Sequence, residues 1–228
     1  MAYVLGYWYA DGSVEHNPSM RGNYIRVGST DKSIIYSFRD ALDSEHSIST
    51  RKDLPNSKTY YVLRIGSKKL YSQLTSLGIT ERKSKTITFP NVPRKFLPDF
   101  LRGYFDGDGC VYIEKGRKNK YKRVSVIFTS GSRLFLETLS NELHAIYKLS
   151  NKKITITKGG YSDAYQLRYS TRDSLGLFQC MYPTSIKNNL FLERKKKVFE
   201  TYLQAKGIKG HQIDELRHTK GPIMRTRK

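Results

Sequence analysis

Val4-Leu-Gly-Tyr-Trp-Tyr-Ala-Asp-Gly-Ser-Val14 recurs along the same chain as Leu101-Arg-Gly-Tyr-Phe-Asp-Gly-Asp-Gly-Cys-Val111, displaced by 97 residues. Two more blocks return in the same order. Tyr61-Val-Leu-Arg64 is repeated as Tyr165-Gln-Leu-Arg168, and Glu81-Arg-Lys-Ser-Lys85 as Glu193-Arg-Lys-Lys-Lys197. A repeat of about 100 residues makes two units, each large enough to bury a core of its own.

Between the repeated blocks both halves alternate in the same way. Ile25 and Val27, then Ile48 and Thr50, then Tyr61, Leu63 and Ile65 fall on one strand face, with Arg26, Arg51 and Arg64 on the other. In the second half Val124, Val126 and Phe128, then Ile154 and Ile156, then Tyr165, Leu167 and Tyr169 share a face opposite Arg123, Lys153, Thr155, Gln166 and Arg168. Helical spacing runs near 33–42, 70–77, 134–147 and 190–203. Each half therefore reads as a helix, two hairpin-like strand pairs and two packing helices, an α+β unit with helices on one sheet face. The other face stays polar and basic, which solvation alone accounts for unless a polyanion is the partner. Residues 1–88 form the first half, the two-proline stretch 89–95 a linker, 96–205 the second half and 206–228 a basic tail.

Forty-one Lys and Arg against 20 Asp and Glu give a net charge of +21, a self-repelling surplus that nucleic acid inside a cell would neutralise. No run approaches the roughly 18 apolar residues of a membrane span. Cys110 and Cys180 are too few and too far apart for a disulfide framework or a zinc site, and Met1–Ala10 lacks the basic start of a secretory signal. An intracellular setting is expected. The histidines His16, His46, His144, His211 and His218 show no paired metal-ligand spacing.

On a helix, Gly6 and Ala10 form one small-residue stripe and Gly103 and Gly107 another, which would let two backbones approach across a pseudo-twofold axis or simply pack tightly within each half. Asp11 and Asp108 each precede a glycine, expected to be left-handed and to end the helix, so both acids fall at helix C-termini. The dipole disfavours an acid there by roughly 0.3–1 kcal/mol, and two such acids together would raise a pKa unless a cation intervenes. A divalent metal held by the carboxylates and free carbonyls of the last turn resolves the conflict. Asp106 lies about 200° around the helix from Asp108 and has Tyr9 as its counterpart, which sets it apart from the pair. A calcium loop beginning at this Asp-Gly-Asp-Gly string fails, because its fifth and twelfth positions would be Cys110 and Arg117.

Val4-Leu-Gly-Tyr-Trp-Tyr-Ala-Asp-Gly12 and Leu101-Arg-Gly-Tyr-Phe-Asp-Gly-Asp-Gly109 both resemble the LAGLIDADG motif, and the resemblance extends over about residues 1–203. It implies a monomeric, double-motif homing endonuclease: two pseudo-twofold-related repeats forming a saddle whose sheets lie on double-stranded DNA. The family's motif helices pack together and their terminal acids bind a divalent metal, normally Mg²⁺, with Ca²⁺ or Mn²⁺ able to take the same site. Carried over, the acids are Asp11 and Asp108, and the carbonyls of Ala10 and Gly107 are additional ligands. The family's basic residue matches Lys83 and Lys195, with Arg82, Lys85, Arg194 and Lys196 near enough to be the true one. Trp8 and Tyr9 are bulky where the family often has aliphatic and acidic residues, and they fall off the small-residue stripe.

Phosphodiester hydrolysis needs an activated water, a neutralised phosphate and a stabilised leaving oxygen, which metals between paired carboxylates provide. One acid and one lysine per half supply a site for each strand. Base readout is expected from Arg26, Arg51, Lys58 and Arg64 in one half and Arg123, Lys153, Gln166 and Arg168 in the other, since Arg pairs with guanine and Gln with adenine. Two alternatives share this architecture: a maturase that binds intron RNA, and a DNA-binding regulator that does not cut, for which loss of one terminal acid would be the sign.

Overall fold

The first helix, α1 (Ala2–Asp11), is apolar on nearly every side, and a helix with no polar face must be enclosed by other elements. The computed structural model encloses it between the two halves. It describes residues 1–17, 22–52, 54–116, 121–158, 163–183, 186, 190–209 and 212–213. The antiparallel partner elements of the first half are β1 (Ser13–Asn17), β2 (Gly22–Ser29), β3 (Ile48–Arg51) and β4 (Tyr60–Gly66), with α2 (Lys32–Ala41) between the two hairpins and α3 (Lys68–Ser76) after them. The second half repeats this with α4 (Leu97–Asp108), β5 (Gly109–Lys115), β6 (Tyr121–Ser130), α5 (Arg133–Tyr147), β7 (Thr155–Thr157), β8 (Ala164–Tyr169) and α6 (Thr171–Met181), then adds α7 (Glu193–Lys206). Strand order is β1-β2-β4-β3 in one sheet and β5-β6-β8-β7 in the other, so the two four-stranded antiparallel sheets have one topology.

Pairing fixes which side chains share a face. Arg26 stands opposite Arg64 and Arg51 opposite Tyr60, while Ile25 opposes Ile65 and Val27 opposes Leu63 beneath the helices. In the second sheet Val126 opposes Tyr169 and Phe128 opposes Leu167 on the core side, leaving Gln166 and Arg168 on the open side. Ile156 departs from the expected pattern. It sits beside Tyr165 on the helix side, but β7 is an edge strand that the helices do not reach, and the residue is 57% exposed.

Other expectations change for identifiable reasons. Gly12 (φ −82°, ψ 156°) and Gly109 (φ −86°, ψ 155°) are extended rather than left-handed, because each helix runs directly into a paired strand. Glycine is needed there for space: a Cβ on Gly12 would overlap the Trp8 indole, and one on Gly109 the Phe105 ring. Helix α6 escapes the apolar spacing because Gly176 and Ser174 interrupt it; both are buried, and Ser174 bonds to the sheet. The helix near 190–203 is α7, and its counterpart in the first half is only a single 3₁₀ turn, Lys83–Lys85. Trp8 and Tyr9 are core residues, Tyr9 packing against Phe100 and Phe135. Most of the stretch 206–228, with His211 and His218, lies outside the described residues, although Ile213 is buried against the core. Among the described residues no helix is long and apolar enough to cross a membrane.

Candidate active site at the seam between the halves

Helices α1 and α4 meet through their glycines, and the contact is reciprocal. A Cβ on Gly6 would overlap the Phe100 carbonyl, and one on Gly103 the Tyr3 carbonyl, while a Cβ on Gly107 would overlap that of Ala10. The small residues thus permit close approach between halves, not merely within each. Tyr3 and Phe100 correspond under the 97-residue displacement, so the seam is pseudo-twofold in its contacts.

That approach sets Asp11 beside the end of α4. Its Oδ2 lies 3.4 Å from where a Cβ on Gly107 would stand, one residue before Asp108. Burial, then the neighbouring Asp11 charge, lift the Asp108 carboxyl to about 6, against the opposing pull of Lys83 and Lys195. Asp11 is exposed as a residue, yet protein crowded about its carboxyl still raises its pKa, with Lys195, Lys83 and a hydrogen bond from Tyr7 acting the other way. Tyr7 is an addition to the site, and its position one helical turn before Asp11 is the sequence signal for it.

The two lysines address the negative helix ends directly. Lys83 Nζ donates to the Ala10 carbonyl at 2.8 Å. Lys195 Nζ donates to the carbonyls of Phe105 (2.6 Å), Asp106 (2.8 Å) and Gly109 (2.6 Å). Both are buried, 7% and 6% exposed, and burial lowers their pKa values, that of Lys195 to about 8. A cation at a helix C-terminus is favourable, so the protein itself supplies part of the charge that the helix ends demand. The neighbouring basic residues point elsewhere. Arg194 pairs with Asp31 across the halves at 3.0 Å, Lys196 with Glu200 at 3.2 Å, and Arg82 and Lys85 are exposed. The two ends are not identical, since Lys83 occupies the Ala10 carbonyl whereas Lys195 makes no bond to that of Gly107.

Asp106 is a different kind of acid. Its Oδ2 accepts from Tyr3 Oη at 2.7 Å and from the Leu192 amide at 2.8 Å, joining α4 to α1 and to the start of α7, while Oδ1 is buried with no partner among the described residues. Burial raises its pKa to about 6. Arg102, fully buried nearby, spends its donors on the carbonyls of Leu190 and Met181 and on Asp99. Asp106→Asn keeps one carbonyl oxygen for both donors and removes a disfavoured charge, so it is expected to preserve both folding and any nuclease activity. Asp106→Ala is expected to lose about 1–3 kcal/mol in urea unfolding by stranding those donors.

Asp11 and Asp108 offer hard oxygen donors, with the carbonyls of Ala10 and Gly107 at the same ends, a set suited to Mg²⁺ or another hard divalent cation. Among the described residues no group of three or more His, Cys, Asp or Glu is placed to hold a metal. Alternation correctly assigned a sheet face to five of the residues expected to contact bases. Arg26, Arg51 and Arg64 are on the open face of the first sheet, and Gln166 and Arg168 on that of the second with Arg123 at its rim; Lys58 and Lys153 are exposed just before β4 and β7.

Residues 1–86 and 96–179 both match the family model described as a LAGLIDADG-like domain. An uncharacterised protein of Methanocaldococcus jannaschii is 31% identical over 173 residues, 71% of this chain, and this chain spans 60% of that protein's length. Among solved structures, the homing endonuclease I-WcaI bound to its DNA recognition sequence has a TM-score of 0.55 at 14% identity, over 86% of this chain and 83% of its own. I-DmoI in complex with DNA and Ca has a TM-score of 0.54 at 19% identity, over 88% and 96%. At such identities the likeness is one of fold.

Proposed function

The chain belongs to the LAGLIDADG family in its two-motif, single-chain form, and from that membership we propose that it is a site-specific DNA endonuclease. It acts as a monomer on a long asymmetric duplex target and makes a staggered double-strand break with 3′ overhangs, the chemistry of intron homing. The observation that carries this reading is the seam. One acid from each half meets the other there, each with a buried lysine at the same helix end, beneath two sheets whose open faces present arginines. Fold alone does not decide between cutting and mere binding, so the proposal rests on that constellation.

Asp11 and Asp108 would hold the divalent metal, Mg²⁺ or another hard cation, with the Gly107 carbonyl and the lone pair that Lys83 leaves on the Ala10 carbonyl as further donors. Once bound, the metal supplies neutralisation of the scissile phosphate and activation of the attacking water. Lys83 and Lys195, fixed by backbone carbonyls, hold positive charge beside the two reacting phosphates without having to reorganise as charge develops. Two such acid and lysine sets match the two antiparallel strands, one cut each. Arg26, Arg51, Lys58 and Arg64, and Arg123, Lys153, Gln166 and Arg168, set position and sequence preference through phosphates and base edges.

The test is a plasmid library with a randomised insert, incubated with the protein and Mg²⁺ and sequenced at the linearised ends. One long recurring target, cut on both strands and only with divalent metal present, is expected. Absence of any cut sequence, or cutting that persists in EDTA, would refute the proposal.

A further inference from the structure

An acid stands on the open face of the first sheet, where a polyanion is proposed to lie. Glu15 of β1 is paired opposite Tyr24, and Arg26 opposite Arg64, on adjacent strands. Glu15 Oε2 accepts from Arg64 Nε at 2.9 Å, and its Oε1 lies 3.7 Å from an Arg26 terminal nitrogen. The Arg64 guanidinium also lies 3.6 Å from the centre of the Tyr24 ring. The second sheet contains a counterpart. Tyr112 occupies the position 97 residues after Glu15, and Arg168 the position of Arg64 in the repeated block. Tyr112 Oη accepts from an Arg168 terminal nitrogen at 2.7 Å. The same cross-strand arginine is thus anchored in both halves, by a carboxylate and an aromatic face in one and by a phenol in the other.

An arginine that serves only to attract phosphate loses by such an arrangement. A carboxylate in direct contact cancels part of its field, and fixing its plane costs side-chain freedom. Both losses become gains for an arginine that reads a base. Guanine presents O6 and N7 side by side in the major groove, and a guanidinium of fixed plane meets them with two parallel hydrogen bonds. With Nε of Arg64 taken by Glu15, the two terminal nitrogens are the edge left to turn outward.

We infer that Arg64 and Arg168 read guanines at mirrored positions on either side of the target centre, and that Glu15 and Tyr112 are the positioning residues that set their planes. Glu15 adds a charge penalty against non-specific phosphate binding that the second half lacks, so discrimination at the first half's guanine is the stricter of the two. This deepens the endonuclease reading and rests on it for the DNA partner.

Binding selection from a randomised duplex pool in Ca²⁺ tests the inference without depending on cleavage. The full-length protein is compared with Glu15→Gln, Arg64→Lys and Arg168→Lys. For the parent, a motif with a guanine on each side is expected. Arg64→Lys should lower the guanine preference on one side by tenfold or more, and Arg168→Lys at the mirrored position only. Glu15→Gln should relax the first guanine several-fold, leave the other half's preferences intact, and steepen the log–log salt dependence of non-specific binding by about 0.9 as the released arginine reaches a phosphate. The inference is overturned if Glu15→Gln leaves every position's preference unchanged, or if Arg64→Lys weakens all sequences equally. A parent that enriches no motif at all overturns the inference together with the endonuclease reading, which separates that failure from the other two.

Discussion

Asp108→Asn is expected to melt above the parent at pH 8 while losing double-strand cutting. The folded protein holds the Asp108 carboxyl at about 6, against an ordinary value of 3.8. A raised carboxyl pKa means that the fold is most favoured while the group is protonated. The contribution of Asp108 to stability therefore declines as pH rises from about 4, where the unfolded chain ionises, through about 6, where the folded one does, and is then level. The asparagine variant carries no such charge. For this half-buried group the gap should reach about 1–3 kcal/mol above pH 6 and close near pH 4, a rise in Tm at pH 8 of roughly 3–10 °C for a chain of this size. Thermal melts of both proteins from pH 4 to pH 8 without divalent metal check it. A variant that melts at or below the parent throughout would show that burial and the Asp11 charge do not disfavour the Asp108 carboxylate. Stability sacrificed at a reacting centre is an expected trade in an enzyme.

Gly6→Ala and Gly103→Ala are each expected to destabilise the protein by about 3 kcal/mol or more, enough to lower Tm by roughly 6–12 °C. The added methyl meets backbone carbonyls, of Phe100 and Tyr3 respectively, and a backbone cannot rotate aside as a side chain can. Relief requires α1 and α4 to separate, which would draw Asp11 away from Asp108. Because both substitutions wedge the same pair of helices, the double variant should cost less than the sum of the singles. Thermal melts and urea titrations of the three variants decide the matter, and single variants melting with the parent would contradict the seam as described.

Much of this was legible because repetition converts weak local signals into strong ones. Neither Gly6 nor Gly103 alone distinguishes packing within a half from packing between halves, but two stripes at a fixed displacement anticipate a reciprocal contact. Within the repeated Glu81–Lys85 and Glu193–Lys197 blocks the family resemblance points to Lys83 and Lys195, with Arg82, Lys85, Arg194 and Lys196 near enough in sequence to compete. What separates the lysines is burial against the ends of α1 and α4, a tertiary property that no local pattern encodes.

The features that escaped the sequence are those set by neighbours in space. Gly12 and Gly109 carry the usual sign of a left-handed helix end, but the pull of the following strand and the bulk of Trp8 and Phe105 decide their conformation. The apolar spacing of helix α6 is interrupted by Gly176 and by Ser174, whose Oγ accepts from the Val126 amide and donates to the Tyr169 carbonyl inside the core. Ile156 follows the strand period and is still exposed, because period assigns a face and not the extent of its cover. Glu15 and Tyr112 gave no signal at all until strand pairing set them beside Arg64 and Arg168.

Strand-resolved cleavage of the selected target is the decisive measurement for the shared seam. Parent, Asp11→Asn and Asp108→Asn would be assayed with Mg²⁺ on a duplex carrying a different end label on each strand, with binding of the same duplex measured in Ca²⁺. Both variants should bind with the parent's affinity, within a few-fold, and yield no double-strand product, a loss of about 10³-fold or more if each carboxylate is required for the metal's contribution. Parental rates on both strands from either variant, or losses that merely follow weakened binding, would contradict a shared seam of two acids as the place where DNA is cut.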